Sequence, residues 1–235
     1  MTNVMSEANA PAESKRILYT TLVFVGMLAF VTTFVLVDNA YYQFSNTWFP
    51  NVGSSAWLAS AWGVVSRLHL LILLVPLVIW KPRLMGFQLG AIRRHWRMLL
   101  LMLLANCGVI AAFLWLTGST TPYSGNQWLV TEIIIVPIVE ETFWRGLVFF
   151  VMLWVLSKFN SESTSTTLTI VLSGLAFGLL HTNNLLAGVS LQFVVIQVLN
   201  ACIWGIMYGY ARAKTDSIYP AMILHAAMNL VVILF

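Results

Sequence analysis

Apolar residues run along this chain in blocks of about 20, separated by short polar stretches and without strand-like alternation. Blocks of that length suit helices crossing the roughly 30 Å hydrocarbon core of a bilayer, where the backbone has no outside hydrogen-bond partner; a barrel would show segments of about ten alternating residues. The pattern predicts about seven spans: 17–37, 54–80, 98–116, 128–157, one ending at 181, 189–211 and 218–235. The expected fold class is therefore all-α, a polytopic membrane helix bundle. The fourth block, at roughly 45 Å of helix, must tilt, kink at Pro137 or extend past the membrane. Residues 1–14 are polar and small, and are expected to form a disordered tail. Asn160 to Thr167 reads as a polar loop, and Thr182-Asn-Asn as a tight turn.

Composition agrees. Of the 235 residues 60% are hydrophobic and 9% charged, with a mean hydropathy of +0.86, whereas soluble domains carry about a quarter charged residues. The first block is too long for a signal-peptide core and lacks a clear small-residue cleavage site, so a retained anchor is expected. Cys107 and Cys202 sit in separate apolar blocks and read as small buried hydrophobes rather than a disulfide or a nucleophile. Ten of the twelve Lys and Arg fall on one side of the seven-span topology, the exceptions being Arg67 and Arg145. By the positive-inside rule that side, with the N-terminus, is cytoplasmic, and the expected location is a bacterial inner membrane. Membrane lipid is the expected surrounding, with no nucleic-acid partner.

Charges inside the blocks carry the candidate chemistry, because each costs at least about 2.5 kcal/mol near the bilayer centre unless paired, hydrated or functional. Glu140, Glu141 and Arg145 lie in the fourth block. Glu141 and Arg145 are four apart and share a helix face; Glu140 points about 100° away and is the carboxylate left over. Arg67 and His69 in the second block are read as paired inside the bundle, snorkelling, or serving the site. Phe177 and His181, like His225 and Asn229, are also four apart, so each pair shows one face and polar groups from three helices can converge.

Glu140-Glu-Thr-Phe-Trp-Arg145, Phe177-Gly-Leu-Leu-His181 and His225-Ala-Ala-Met-Asn229 match the E-E-x-x-x-R, F-x-x-x-H and H-x-x-x-N motifs, in order. Over about 130–230 the chain resembles the CAAX prenyl protease and bacteriocin-processing (CPBP) family of glutamate-type intramembrane proteases. The resemblance implies N-terminal transmembrane helices over 15–127 and a catalytic helix bundle, the last four spans, over 128–235. It also implies an endopeptidase acting on a membrane-associated peptide or lipid-modified protein. Glu140 would activate water with His181, His225 and Asn229 would donate to the oxyanion or hold the water, and Glu141, Arg145 and Phe177 would support them. The family implies no cofactor. Zinc on Glu140, His181 and His225 stays open as an alternative, since one carboxylate and two imidazoles form a known catalytic set. A non-catalytic immunity or scaffold protein keeping the same fold is the other alternative.

Overall fold

A computed structural model describes residues 13–117, 125–186 and 188–234; the tail expected at 1–14 lies, through residue 12, outside them. The described residues are helical, with no strand among them. The helices are α1 (Glu13–Asn46), α2 (Ala56–Val65), α3 (Leu68–Trp80), α4 (Trp96–Thr117), α5 (Val136–Glu141), α6 (Phe149–Leu156), α7 (Glu162–Leu180), α8 (Asn183–Leu186), α9 (Leu191–Thr215) and α10 (Tyr219–Leu234). Four stretches, Glu13–Asn46, Ile92–Leu116, Glu162–Leu186 and Leu191–Thr215, are long and apolar enough to cross a membrane.

The second expected span is not one straight helix. α2 and α3 meet at a 66° bend at Ser66 and Arg67, and together they make a fifth candidate span. The fourth expected span is helical throughout 129–156, and its irregularity lies on either side of Pro137 rather than at it. Thr131–Ile135 and Thr142–Val148 are π-helical, with wider i→i+5 turns flanking α5. Val136 N–H reaches back to the Thr131 carbonyl, so the wide turn takes up the disruption that proline, lacking an N–H, would otherwise concentrate in one place. The seventh expected span is α10, at 16 residues shorter than the other crossings.

Two further expectations are corrected. The polar stretch 160–167 is helical from Glu162, because Ser161 caps α7 by accepting from Thr164 N–H at 3.3 Å. The turn after His181 continues into the single helical turn α8. Ser55 and Ser190 cap α2 and α9 in the same way. The cysteines are free and half-buried rather than fully buried.

α7 and α9 form the most extensive helix pair. Gly174 on α7 faces Gly205 and Ile206 on α9, and Gly178 faces Cys202 one turn away, so the backbones approach until nothing larger fits: a Cβ on Gly174 would lie 2.5 Å from the Ile206 amide nitrogen. Small residues set one turn apart are what close packing in lipid requires, where dispersion replaces the hydrophobic effect between helices. The seam fixes the end of α7 that carries Phe177 and His181. The remaining helices close around it, α1 on α7, α4 on α10 and α2 on the π turn at Thr131–Ile135. Gly174→Ala should therefore push α9 away from α7 and lower stability by about 1–3 kcal/mol, the range for overpacking. Thermal unfolding of the purified protein in detergent checks this, an unchanged midpoint counting against it.

Candidate active site

Three helices, the continuous 129–156 helix, α7 and α10, deliver the polar side chains that the sequence singles out. Glu140 and Glu141 end α5, Arg145 lies in the following π segment, His181 closes α7, and His225 and Asn229 lie one turn apart on α10. The adjacent glutamates divide sharply. Glu141 and Arg145 are fully buried, whereas the Glu140 side chain keeps 20% of its surface exposed.

Glu141 takes its partners from within the protein. Its Oε1 accepts from Arg145 Nη1 at 3.2 Å and from His225 Nδ1 at 2.8 Å. Its Oε2 lies 3.1 Å from Arg145 Nη1, an ion-pair contact without hydrogen-bond geometry. Arg145 goes on to donate to the Gly205 carbonyl at 2.9 Å, and its guanidinium lies over the Phe177 ring at 4.3 Å. One ion pair thus joins the 131–156 helix to α9, α10 and the Phe177 turn of α7. The expected Glu141–Arg145 pairing is present; its extension to His225 did not follow from helix spacing.

Both histidines are held by one ring nitrogen. His181 Nδ1 faces the Phe177 carbonyl at 3.0 Å, and since a carbonyl only accepts, Nδ1 carries the proton there. His225 Nδ1 donates in the same way to Glu141. Each ring therefore presents Nε2 to the site. Phe177 sits between them, edge-on to His181 at 5.2 Å and to His225 at 5.9 Å. Glu140 interacts electrostatically with both imidazoles, and with Glu132 and Arg145. Asn229 Nδ2 donates to the main-chain carbonyl of Glu132 at 2.8 Å, one of the carbonyls of the first π segment.

The structure adds residues that sequence reasoning passed over. Tyr208 of α9 stacks on His225 at 5.9 Å, and its hydroxyl accepts from Asn106 Nδ2 at 3.0 Å. Asn106, in an otherwise plain apolar block, also donates to the Leu224 carbonyl at 2.9 Å, pinning α4 to α9 and α10. Arg212 Nε donates to the Arg145 carbonyl at 3.2 Å while its Nη1 binds Asp216 at 2.7 Å. A buried asparagine signals a cross-link, but not its partners. Of the two second-block charges, His69 turns to Asp38 of α1 at 3.3 Å, and Arg67 approaches Glu140 at 3.9 Å. Among the described residues no three His, Cys, Asp or Glu side chains are grouped as metal ligands.

Carboxylates, imidazoles and an asparagine thus come from three motif-bearing helices of a membrane bundle. Residues 122–231 match the model of the Rce1-like family, described as type II CAAX prenyl endopeptidase Rce1-like. That region contains all three motifs, and through it the chain is similar to this family of CAAX-type intramembrane endopeptidases. No curated protein and no solved structure matches it.

Arg145→Ala would strand Glu141 in a low-dielectric interior, release the Gly205 carbonyl and empty the space over Phe177. The expected loss of stability is about 3–5 kcal/mol, the range for breaking one partner of a buried pair. Melting in detergent and folded yield measure it, and a variant as stable as wild type would show that the ion pair does not hold the bundle.

Proposed function

We propose that the protein cleaves a peptide bond in a membrane-associated or prenylated protein, using Glu140 to activate water. The observation that carries the reading is the contrast between neighbouring carboxylates. Glu141 is fully buried and its Oε1 accepts from both Arg145 and His225, whereas Glu140 is solvent-accessible, interacts electrostatically with two imidazoles and, among the described residues, accepts no hydrogen bond. A base must keep a lone pair free for the proton it removes.

In the proposed sequence, water held between Glu140 and His181 Nε2 loses a proton to the Glu140 carboxylate as its oxygen bonds the scissile carbonyl carbon. The carbonyl π electrons move to oxygen, and His225 Nε2–H, with the second amide N–H of Asn229, stabilises the charge. Collapse of this adduct breaks the C–N bond as the proton on Glu140 passes to the leaving nitrogen. His225 needs a proton on both nitrogens for this role, and its Nδ1–H is already held by the Glu141 carboxylate. Asn229, fixed through one N–H on the Glu132 carbonyl, is held in place before substrate arrives.

Glu140→Gln replaces the base by an amide of equal shape, and it should abolish cleavage of a farnesylated CAAX peptide while the protein still melts cooperatively. Turnover at the wild-type rate would remove Glu140 from the mechanism. Asn229→Ala should reduce kcat by roughly 10²–10³, the loss typical of one oxyanion donor. We further propose that the reaction needs no metal. Dialysis against a strong chelator should leave activity intact, and loss of activity that zinc alone restores would overturn the glutamate assignment.

A further inference from the structure

The geometry points to Arg67, in the part of the chain before the family-matched region, as a positioning residue that aims the Glu140 carboxylate without occupying its lone pairs. The inference rests on Glu140 as the base. Its warrant is the way α2 is built against the 131–156 helix. Ala59, Gly63 and Arg67 follow one another at four-residue steps, so they lie on one helical face running into the bend. The Ala59 carbonyl accepts from Thr131 Oγ1 at 2.8 Å. Gly63 meets the same threonine one turn later, and a Cβ there would lie 2.8 Å from Thr131 Cγ2. The face is thus pressed onto the first π segment, and α2 stops just before the next step along it.

That step is Arg67. Its Nη1 is anchored locally, 3.1 Å from Ser66 Oγ and 3.4 Å from the Gly63 carbonyl. Its Nη2 is 3.9 Å from Glu140 Oε1. With a side chain only 19% exposed, Arg67 is not snorkelling to an aqueous interface. The distance is what separates its role from that of Arg145. Arg145 and His225 sit within hydrogen-bond reach of Glu141 and both occupy its Oε1. At 3.9 Å a guanidinium attracts the carboxylate and orients it, yet leaves the oxygen free to take a proton from water. Other charged or titratable groups also interact with Glu140: Glu132 from the first π segment, Arg145 from the second, His181 from α7 and His225 from α10.

The test compares wild type, Arg67→Gln, Arg67→Lys and Glu140→Gln, purified in detergent, with a fluorescence-quenched farnesylated CAAX peptide as probe. Arg67→Gln should lower kcat about tenfold or more with KM within about twofold, since the carboxylate loses its orientation and not the substrate its binding site. Arg67→Lys, which keeps the cation, should recover most of kcat. Both variants should melt in detergent as wild type does. An inactive Glu140→Gln together with Arg67→Gln of wild-type kcat overturns the role of Arg67 and leaves the protease reading standing. Full turnover by Glu140→Gln overturns that reading itself. Should Arg67→Gln fail to fold, Arg67→Lys decides: a folded lysine variant with most of the wild-type kcat supports the role, and one that has lost about tenfold or more overturns it.

Discussion

A carboxylate and a guanidinium with no exposed surface, Glu141 and Arg145, set the terms for everything around them. Two charges placed in a low-dielectric interior pay a desolvation penalty that their attraction offsets only if the geometry is good and the remaining polar atoms find partners. Here those partners come from elsewhere in the bundle: His225 for the carboxylate, the Gly205 carbonyl and the Phe177 face for the guanidinium. Satisfying one ion pair therefore fixes the positions of α7, α9 and α10 relative to the 131–156 helix. The same contacts orient the groups proposed to do chemistry. Phe177 lies against both imidazoles, and Glu141 sets the tautomer of His225. Stability and site geometry share one set of contacts, so neither can change without the other.

The wide turns on either side of α5 follow from the same demand. In a regular α-helix each main-chain carbonyl already accepts from the amide four residues on, so a side chain from another helix can use only its second lone pair. In the π segments this register is broken, and two carbonyls are met from outside, Glu132 by Asn229 and Arg145 by Arg212. Arg212 also ties this helix to the corner between α9 and α10. The loop between α3 and α4 packs there, with Gly90 so close to the Thr215 carbonyl that no side chain could replace it. In lipid, non-helical backbone survives only where protein satisfies it, and these contacts supply that satisfaction.

How much of this the sequence disclosed depended on whether the information was local. Apolar block length gave the class of fold, and charge within a block marked Glu140, Glu141 and Arg145. Four-residue spacing paired Glu141 with Arg145 and put His181 and His225 on defined faces. None of these arguments reaches across helices. Periodicity carries no signal that His225 would choose Glu141 over Glu140, or that Asn229 would bind a main-chain oxygen. The bend at Ser66 and Arg67 was hidden because 54–80 reads as one largely apolar block whose Gly63 and Pro76 lie on either side of the bend rather than at it. Those two charges were the signal: a span that cannot shed a buried arginine bends to bring it to a partner. In 160–167 the error ran the other way, since serine and threonine suggest a loop until Ser161 is seen as a cap.

The division of labour between the paired glutamates follows from helix geometry alone once the surroundings are known. Neighbouring residues on a helix point about 100° apart, so Glu140 and Glu141 cannot face the same partners. Glu141 points into the seam where Arg145 and His225 meet, a place where an uncompensated charge would be intolerable and a compensated one is inert. Glu140 points toward α2–α3 and the open side, where its nearest cation stands at ion-pair rather than hydrogen-bond distance. A buried carboxylate held by an arginine and a histidine makes a good structural anchor and a poor base. One with its lone pairs free makes the reverse, and the two properties could not be combined in a single side chain. On the proposed reading the doubled glutamate supplies both at adjacent positions, and a residue from outside the family-matched region, Arg67, completes the second environment.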